Sequence, residues 1–313
     1  MSDAWLHPPR ANSARTAMAA AMCTLLTVAL LLGRVASVEA AAPGPSSADG
    51  TRLPGKFVWF ELVTDDPAAA RSFYRSVFGW SFREVPGAAA SYTVIENAGD
   101  RVAGMFTHVR QRASARGARW LTLISVPDVA AAAKYTSQHG GGVVSPPLSL
   151  GGRGTHALLR DSEGALFGVL RTESGDPADT PVPDGDFFWV DLLARDPARA
   201  AQFYSGLAGY EVSVRESDAG LQRLVLQSQG YARAGIVPLP AALKEAGWLP
   251  YVLVNDVAAT LEKVTAAQGR VLLKPDAKLL DGNLAVIADP LGGVVGIVNW
   301  KGGDTNESNG GDQ

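Results

Sequence analysis

The sequence predicts an α+β protein of two tandem domains, each a pair of βαβββ units, and three observations predict it. The stretch Phe57–Trp80 (FVWFELVTDDPAAARSFYRSVFGW) recurs without a gap as Phe187–Tyr210 (FFWVDLLARDPARAAQFYSGLAGY), at an offset of 130 residues (187 − 57). A second block, Trp120–Val129 (WLTLISVPDV), recurs as Trp248–Val257 (WLPYVLVNDV), at an offset of 128 (248 − 120). The length of 313 residues suits two domains at roughly 150 residues each. A period so far above the roughly 20–50 residues of solenoids means a duplicated domain rather than a stacked array.

The N-terminus reads differently from the rest. Arg10 and Arg15 precede an apolar run, Thr16–Gly33, of 18 residues (33 − 16 + 1), and Val38-Glu39-Ala40 sets small residues at positions a signal peptidase reads. Residues 1–40 are therefore expected to be a signal peptide that exports the protein. An uncleaved membrane anchor is the alternative, since the run is close to the shortest that spans a bilayer. Cys23, the single cysteine, lies inside this run. The mature chain then has no disulfide and no thiol chemistry, and its core alone must hold it.

Residues 41–55 (AAPGPSSADGTRLPG) form a Pro/Gly/Ser-rich flexible spacer. In the first strand, alternation puts Trp59, Glu61 and Val63 on one face and Val58, Phe60 and Leu62 on the other. Asp66-Pro67 starts a helix, because the carboxylate accepts from first-turn N–H groups and proline loses nothing at the first position. Ala70, Phe73, Tyr74 and Val77 then make a stripe at i, i+3, i+4 and i+7, and Gly79 stops it. Ala200, Phe203, Tyr204, Leu207 and Gly209 repeat that pattern. Strands over 81–85, 91–96 and 102–108 complete the first unit. The second unit runs from a strand at 120–126 through a helix starting at Asp128 to strands near 142–145, 155–160 and 166–171. The domains are expected at 56–172 and 187–300, with a linker at 173–186 and a disordered tail at 301–313.

Composition excludes some classes. The net charge is −3, and no basic stripe with interleaved aromatics is visible, so nucleic acid is not an expected partner. With 47% hydrophobic and 19% charged residues, a soluble globular chain with a sizeable core is expected, without stable membrane insertion after signal cleavage.

The strand-DDP-helix-FY…G unit, with D-x-x-G turns at Asp161–Gly164 and Asp289–Gly292, resembles the vicinal oxygen chelate superfamily of glyoxalases, bleomycin-resistance proteins and extradiol dioxygenases. The resemblance implies that each pair of units curls into an incomplete barrel around a cavity. It also implies a monomer, since tandem domains complete within one chain what single-domain relatives reach by dimerisation. Many members hold a divalent metal through the first, fifth and last strands. Carried onto this chain, those positions fall at Trp59, at or next to Leu121, and Gly168, and in the second domain at Trp189, Leu249 and Gly296. None is a ligand, because an indole has no lone pair to give and Leu and Gly have no donor. Outside residues 1–40 there are three histidines, His108, His139 and His156, and the second domain has none.

The cavity faces therefore carry aromatic and acidic groups. Trp59 with Glu61 and Trp189 with Asp191 recur with the same spacing, Trp120 and Trp248 open the fifth strands, and His156 lies on a cavity-lining strand. These seven are the candidate ligand-binding residues, in a pocket for a small organic molecule, or for a cation held by an aromatic face beside a carboxylate. The same residues equally suit a filled barrel interior. No cofactor and no metal are expected, and the reading leans away from an enzyme. Two alternatives stand: a lyase or oxygenase with an atypical first-domain site around Glu61 and His156, and a non-catalytic envelope protein with packed cavities.

Overall fold

The computed structural model describes residues 47, 50–85, 92–107, 117–216 and 222–300. The expected signal segment 1–40, most of the spacer, His108 and the tail 301–313 lie outside the described residues. The first domain comprises β1 (Phe57–Thr64), α1 (Pro67–Phe78), β2 (Ser81–Glu84), β3 (Tyr92–Asn97), β4 (Asp100–Thr107), β5 (Ala118–Ser125), α2 (Val129–Gln138), β6 (Gly142–Ser149), β7 (Thr155–Arg160) and β8 (Leu166–Arg171). The second repeats that order with β9 (Phe187–Ala194), α3 (Pro197–Ala208), β10 (Glu211–Glu216), β11 (Gln222–Ser228), β12 (Tyr231–Pro238), β13 (Gly247–Leu253), α4 (Val257–Ala266), β14 (Arg270–Leu273), β15 (Leu284–Ala288) and β16 (Val294–Val298).

Each domain is one eight-stranded mixed sheet, ordered β2-β3-β4-β1-β5-β8-β7-β6 in the first and β10-β11-β12-β9-β13-β16-β15-β14 in the second. Within a unit the first strand runs parallel to the fourth, and the two units meet where β1 pairs antiparallel with β5 and β9 with β13. This is the α+β, two-domain architecture expected from the repeats.

The helices begin and end as the sequence dictates. Asp66 accepts from Ala69 N at 3.0 Å, and Gly79 closes α1 in the left-handed region at φ 77°. Asp196 and Gly209 do the same for α3. Their apolar stripes pack between the two sheets, α1 against α4 and α2 against α3, so one core of buried side chains runs through both domains. Phe60 stacks on Phe187 across that core at 3.9 Å.

The tyrosine of each Phe-Tyr pair ties the domains together. Tyr74 donates to Asp289 Oδ2 at 3.0 Å and accepts from Trp120 Nε1 at 2.8 Å. Reciprocally, Tyr204 donates to Asp161 Oδ2 at 3.0 Å and accepts from Trp248 Nε1 at 2.9 Å. Asp161 and Asp289 are the D-x-x-G aspartates, each also accepting two backbone N–H bonds inside its own turn. Thus the helix motif of one domain caps the turn motif of the other.

The segments flanking the domains are tied down as well. Asp176, fully buried, accepts from Leu53 N, Ser125 Oγ and Thr172 Oγ1. Asp179 bridges Lys56 and Arg233. Residues 50–55, the end of the expected spacer, are therefore fastened to the 172–179 segment instead of hanging free.

Candidate functional site

A β-bulge decides what the first domain presents to its own interior. Register shifts between Phe57 and Trp59, so Val58 joins Trp59, Leu121, Leu123, Leu158 and Leu170 on the concave face, while Phe60 and Leu62 point into the interdomain core. Strict alternation had grouped Val58 with Phe60 and Leu62.

Glu61 lies on the same concave face, 5% exposed, and its carboxylate takes a direct ion pair from Arg153 Nη2. Arg153 is 2% exposed and comes from a single 3₁₀ turn, Gly151–Arg153, between β6 and β7. Its guanidinium carbon lies 5.8 Å from the Trp59 ring and 5.4 Å from the Tyr92 ring, within cation–π range. Trp59 Nε1 donates to the Tyr92 hydroxyl at 3.1 Å. Burial works against the Arg153 charge, but the Glu61 carboxylate and Tyr92 raise its pKa above the ordinary value. Burial and the Glu61 charge push the Tyr92 hydroxyl far up against the opposing pull of Arg153. His156 stands within the field of this pair, lowered first by desolvation, and its Nδ1 is 3.4 Å from Leu148 O. Arg153 thus plugs the first-domain barrel.

The second domain has the same frame and no plug. Asp191, 1% exposed, accepts from Trp189 Nε1 at 2.9 Å and pairs with Arg223 Nη2 at 3.0 Å, and the Tyr251 hydroxyl lies within its field. Burial and the Asp191 charge together hold the Tyr251 hydroxyl well above its usual range. Beside this cluster lies an open cavity of about 1130 Å³, walled mainly by second-domain residues such as Leu193, Leu249, Leu284, Val286 and Val294 and bordered by Arg119, Leu121 and Leu166 of the first domain. Its lining includes residues of both edge strands, β10 and β14, so the sheet curls until its edges face one another across the mouth.

Register shows why the two interiors differ. Glu61 lies opposite Gly104 and Asp191 opposite Gly235, which makes Arg223 the counterpart of Tyr92, two residues before the valine facing that glycine. His156 pairs with Leu170 as Leu284 pairs with Val298, so the counterpart of Arg153, three residues earlier, is Asp281. A carboxylate there cannot neutralise Asp191. The chain also leaves the sheet sooner: β14 ends at Leu273, and Asp276 holds a turn by accepting from Lys278 N at 2.8 Å. In the first domain β6 continues to Ser149 and delivers Arg153 inward.

The family's metal positions can be tested on the same frame. Trp59 pairs with Leu123 and Leu123 with Gly168, so the fifth-strand position in that row is Leu123, two residues beyond Leu121. The second-domain row is Trp189, Tyr251 and Gly296. A Cβ on Gly168 would stand 2.6 Å from Leu123 Cγ, and one on Gly296 2.0 Å from Tyr251 Cδ1, so a glutamate on either last strand has no room. The donor set does not fit a divalent metal in either domain. Among the described residues no three His, Cys, Asp or Glu side chains are grouped to hold one.

The seven candidate residues divide into three settings. Trp59, Glu61 and His156 surround the Arg153 plug; Asp191 lines the open cavity, and Trp189 holds it from behind through its indole N–H. Trp120 and Trp248 have their indole N–H groups in the interdomain core on Tyr74 and Tyr204, although both also border the cavity. His139 stacks on Tyr135 at a helix end, its ring 3.8 Å away. Arg153, Arg223 and Tyr251 were not singled out from sequence. Arg153 sits in a Gly-rich loop that reads as a plain connector. Tyr251 had a signal, since it replaces Leu123 within the otherwise apolar repeated block.

Residues 56–169 match the Glyoxalase/Bleomycin resistance protein/Dioxygenase superfamily. The chain is 30% identical over 242 residues to "Putative glyoxylase CFP32" of Mycobacterium bovis, covering 77% of this chain and 93% of that protein. It is 28% identical over 271 residues to the anthracycline biosynthesis protein DnrV of Streptomyces peucetius, covering 80% of this chain and 95% of that one. Among solved structures, the Mn(II)-bound glyoxalase from Novosphingobium aromaticivorans superposes with a TM-score of 0.54 at 14% identity, over 79% of this chain and 82% of that one. An extradiol ring-cleaving dioxygenase from B. fuscum gives 0.56 at 14% identity, over 85% of this chain and 77% of that one. At such identities these two likenesses speak for the fold.

Proposed function

We propose, from the premise that the chain belongs to the Glyoxalase/Bleomycin resistance protein/Dioxygenase superfamily, that this member binds a small organic molecule in its second-domain cavity without a divalent metal, and is exported through residues 1–40. One observation carries the reading. Of two interiors built on one frame, the first is filled by an ion pair under aromatic rings, and the second is left open at about 1130 Å³. Apolar walls with a few fixed polar groups are the usual lining of organic-ligand pockets, and this volume is at or above the roughly 300–1,000 Å³ of drug-sized sites. The relative named for anthracycline biosynthesis supports a bulky polycyclic ligand rather than a two- or three-carbon one.

The chemistry of the floor supports binding over turnover. Asp191 is already held by Trp189 and Arg223, so it does not stand ready as a base, nor as the carboxylate partner of a cationic ligand. Glu61 is engaged by Arg153 in an interior closed to solvent, which leaves the Glu61–His156 enzymatic alternative without a free carboxylate.

Thermal-shift screening of the purified mature protein against small organic molecules, with native mass spectrometry, tests the reading. A ligand at a hundred times its Kd stabilises by about 2.7 kcal/mol, and Val286→Trp, which fills the cavity, is expected to abolish the shift. Stoichiometric divalent metal, or shifts that survive Val286→Trp, would overturn it. Comparing the N-terminus of secreted and cell-retained protein tests export.

A further inference from the structure

We infer, on the footing of the binding reading above, that the second-domain cavity selects an organic anion: an apolar or aromatic body bearing a carboxylate, sulfonate or phosphate group that docks between the arginines of the two sheet edges.

The cavity lining carries five cationic side chains and three acidic ones, on a chain whose net charge is −3. Two cations are accounted for. Arg223 pairs with Asp191, and Arg119, half-buried, lies in the field of Glu245. Arg215, Arg270 and Lys278 have no ion-pair partner among the described residues, and with Glu216, the remaining acid, beside Arg215 in β10 the lining keeps an excess of two positive charges (5 − 3).

Arg215 is directly opposite Arg223 in the β10–β11 ladder. Residues so paired point to the same face, and like charges there repel. Since Arg223 reaches Asp191 on the concave face, Arg215 faces the cavity too, and of the two guanidiniums only that of Arg223 is neutralised by a carboxylate. Arg270 lines the cavity from β14, at the other edge of the curled sheet. The opening is thus flanked by an arginine on each edge strand, with apolar walls between them.

The first domain serves as an internal control. By register, the counterparts of Arg215, Arg223 and Arg270 are Val85, Tyr92 and Gly142. Val85 and Phe106 pack around Tyr92 there, as a closed interior requires. These three arginines belong to the domain whose concave face opens to the cavity, and their counterparts on the closed face carry no charge, although both share a fold. Self-repelling cations retained around an apolar pocket have a purpose if the ligand supplies the missing negative charge, because charge-assisted bonds to a carboxylate or sulfonate are about twice as strong as neutral ones.

Two fluorescent probes with one aromatic skeleton separate the possibilities: 8-anilinonaphthalene-1-sulfonate, an anion, and N-phenyl-1-naphthylamine, its neutral parent. Both are titrated into the full mature chain at low and high salt. The sulfonate is expected to bind at least tenfold more tightly at low salt, and the preference to shrink as salt screens it. Arg215→Gln and Arg270→Gln should each weaken the sulfonate by about five- to tenfold and leave the neutral probe unchanged. Val286→Trp should remove both signals, which assigns them to this cavity; circular dichroism confirms that each variant folds. Equal binding of the two probes, or arginine variants that weaken both alike, would overturn the anion inference and leave the cavity reading standing. Failure of both probes and of competing aliphatic carboxylates to bind would sink the cavity reading and this inference with it.

Discussion

Removing Arg153 is the sharpest test of how the first domain is closed. Arg153 and Glu61 are 2% and 5% exposed, so neither charge can be rescued by water when the other is deleted. Arg153→Met keeps most of the volume and strands the Glu61 carboxylate; breaking a buried pair this way costs about 3–5 kcal/mol. Loss of the guanidinium from between Trp59 and Tyr92 adds about 0.5–2 kcal/mol. For a fold of this size about 2–4 °C of Tm is lost per kcal/mol, so a drop of roughly 7–28 °C is expected. The shared core makes a single transition the expectation. Urea unfolding followed by tryptophan fluorescence and circular dichroism measures it, with Arg83–Glu96, whose arginine is exposed, as a control worth less than about 1 kcal/mol. The double variant Glu61→Leu/Arg153→Met, which replaces the pair with apolar groups, should recover most of the loss. A cost below about 1 kcal/mol for Arg153→Met, or a double variant no more stable than the worse single one, would refute a pair that seals the barrel.

Three further outcomes follow from the same contacts. Tyr74→Phe and Tyr204→Phe each strip an interdomain bond from Asp289 or Asp161 and leave a tryptophan N–H unpaired, costing about 1–3 kcal/mol apiece by denaturant titration. Desolvation depresses the His156 pKa below its ordinary 6.5, so the unfolded chain takes up that proton first; stability should fall as pH drops below about 6.5 and level off below the folded value, and His156→Gln should flatten that slope. Burial raises Asp161 and Asp289 above 3.8, so the folded chain holds those protons longer; their contribution should weaken as pH rises from 3.8 through the folded values, a trend Asp289→Asn removes from the pH–stability curve.

Much of the fold was readable because its signals are local. Asp66-Pro67 and Gly79 start and stop a helix through their own backbone chemistry, and the Ala70–Val77 stripe marks the buried face without knowledge of what it meets. What it meets was not readable. Tyr74 looks like one more stripe residue until Asp289, 215 positions away, is found on its hydroxyl. The cavity faces were half legible: Glu61 and Asp191 do face inward, but one inserted residue in β1 moved Val58 across the sheet, and Leu123 rather than Leu121 stands opposite Trp59. Trp120 and Trp248 went to the other face because they pair with Leu62 and Leu192. Arg153 was invisible for a different reason. A long, flexible cation in a glycine-rich turn reads as solvated, and only the three-dimensional proximity of an unpaired Glu61 gives it cause to turn inward.

The duplication explains how one chain tolerates an open, cation-rimmed pocket. An uncovered apolar cavity and an arginine pair that repels itself both work against folding. The first domain carries neither: its interior is filled, its ion pair is covered by two aromatic rings, and its helices share a core with those of the second. Because Tyr74 and Tyr204 cap turns in the opposite domain, the stability of the closed half is transmitted to the open one. On this account the two halves have divided the work of a single ancestral frame, and the closed half supports an aperture that the open half alone would hold less firmly. Arg153→Met should then weaken probe binding in the second domain only under conditions near the unfolding midpoint, and leave the affinity unchanged where the whole chain is folded.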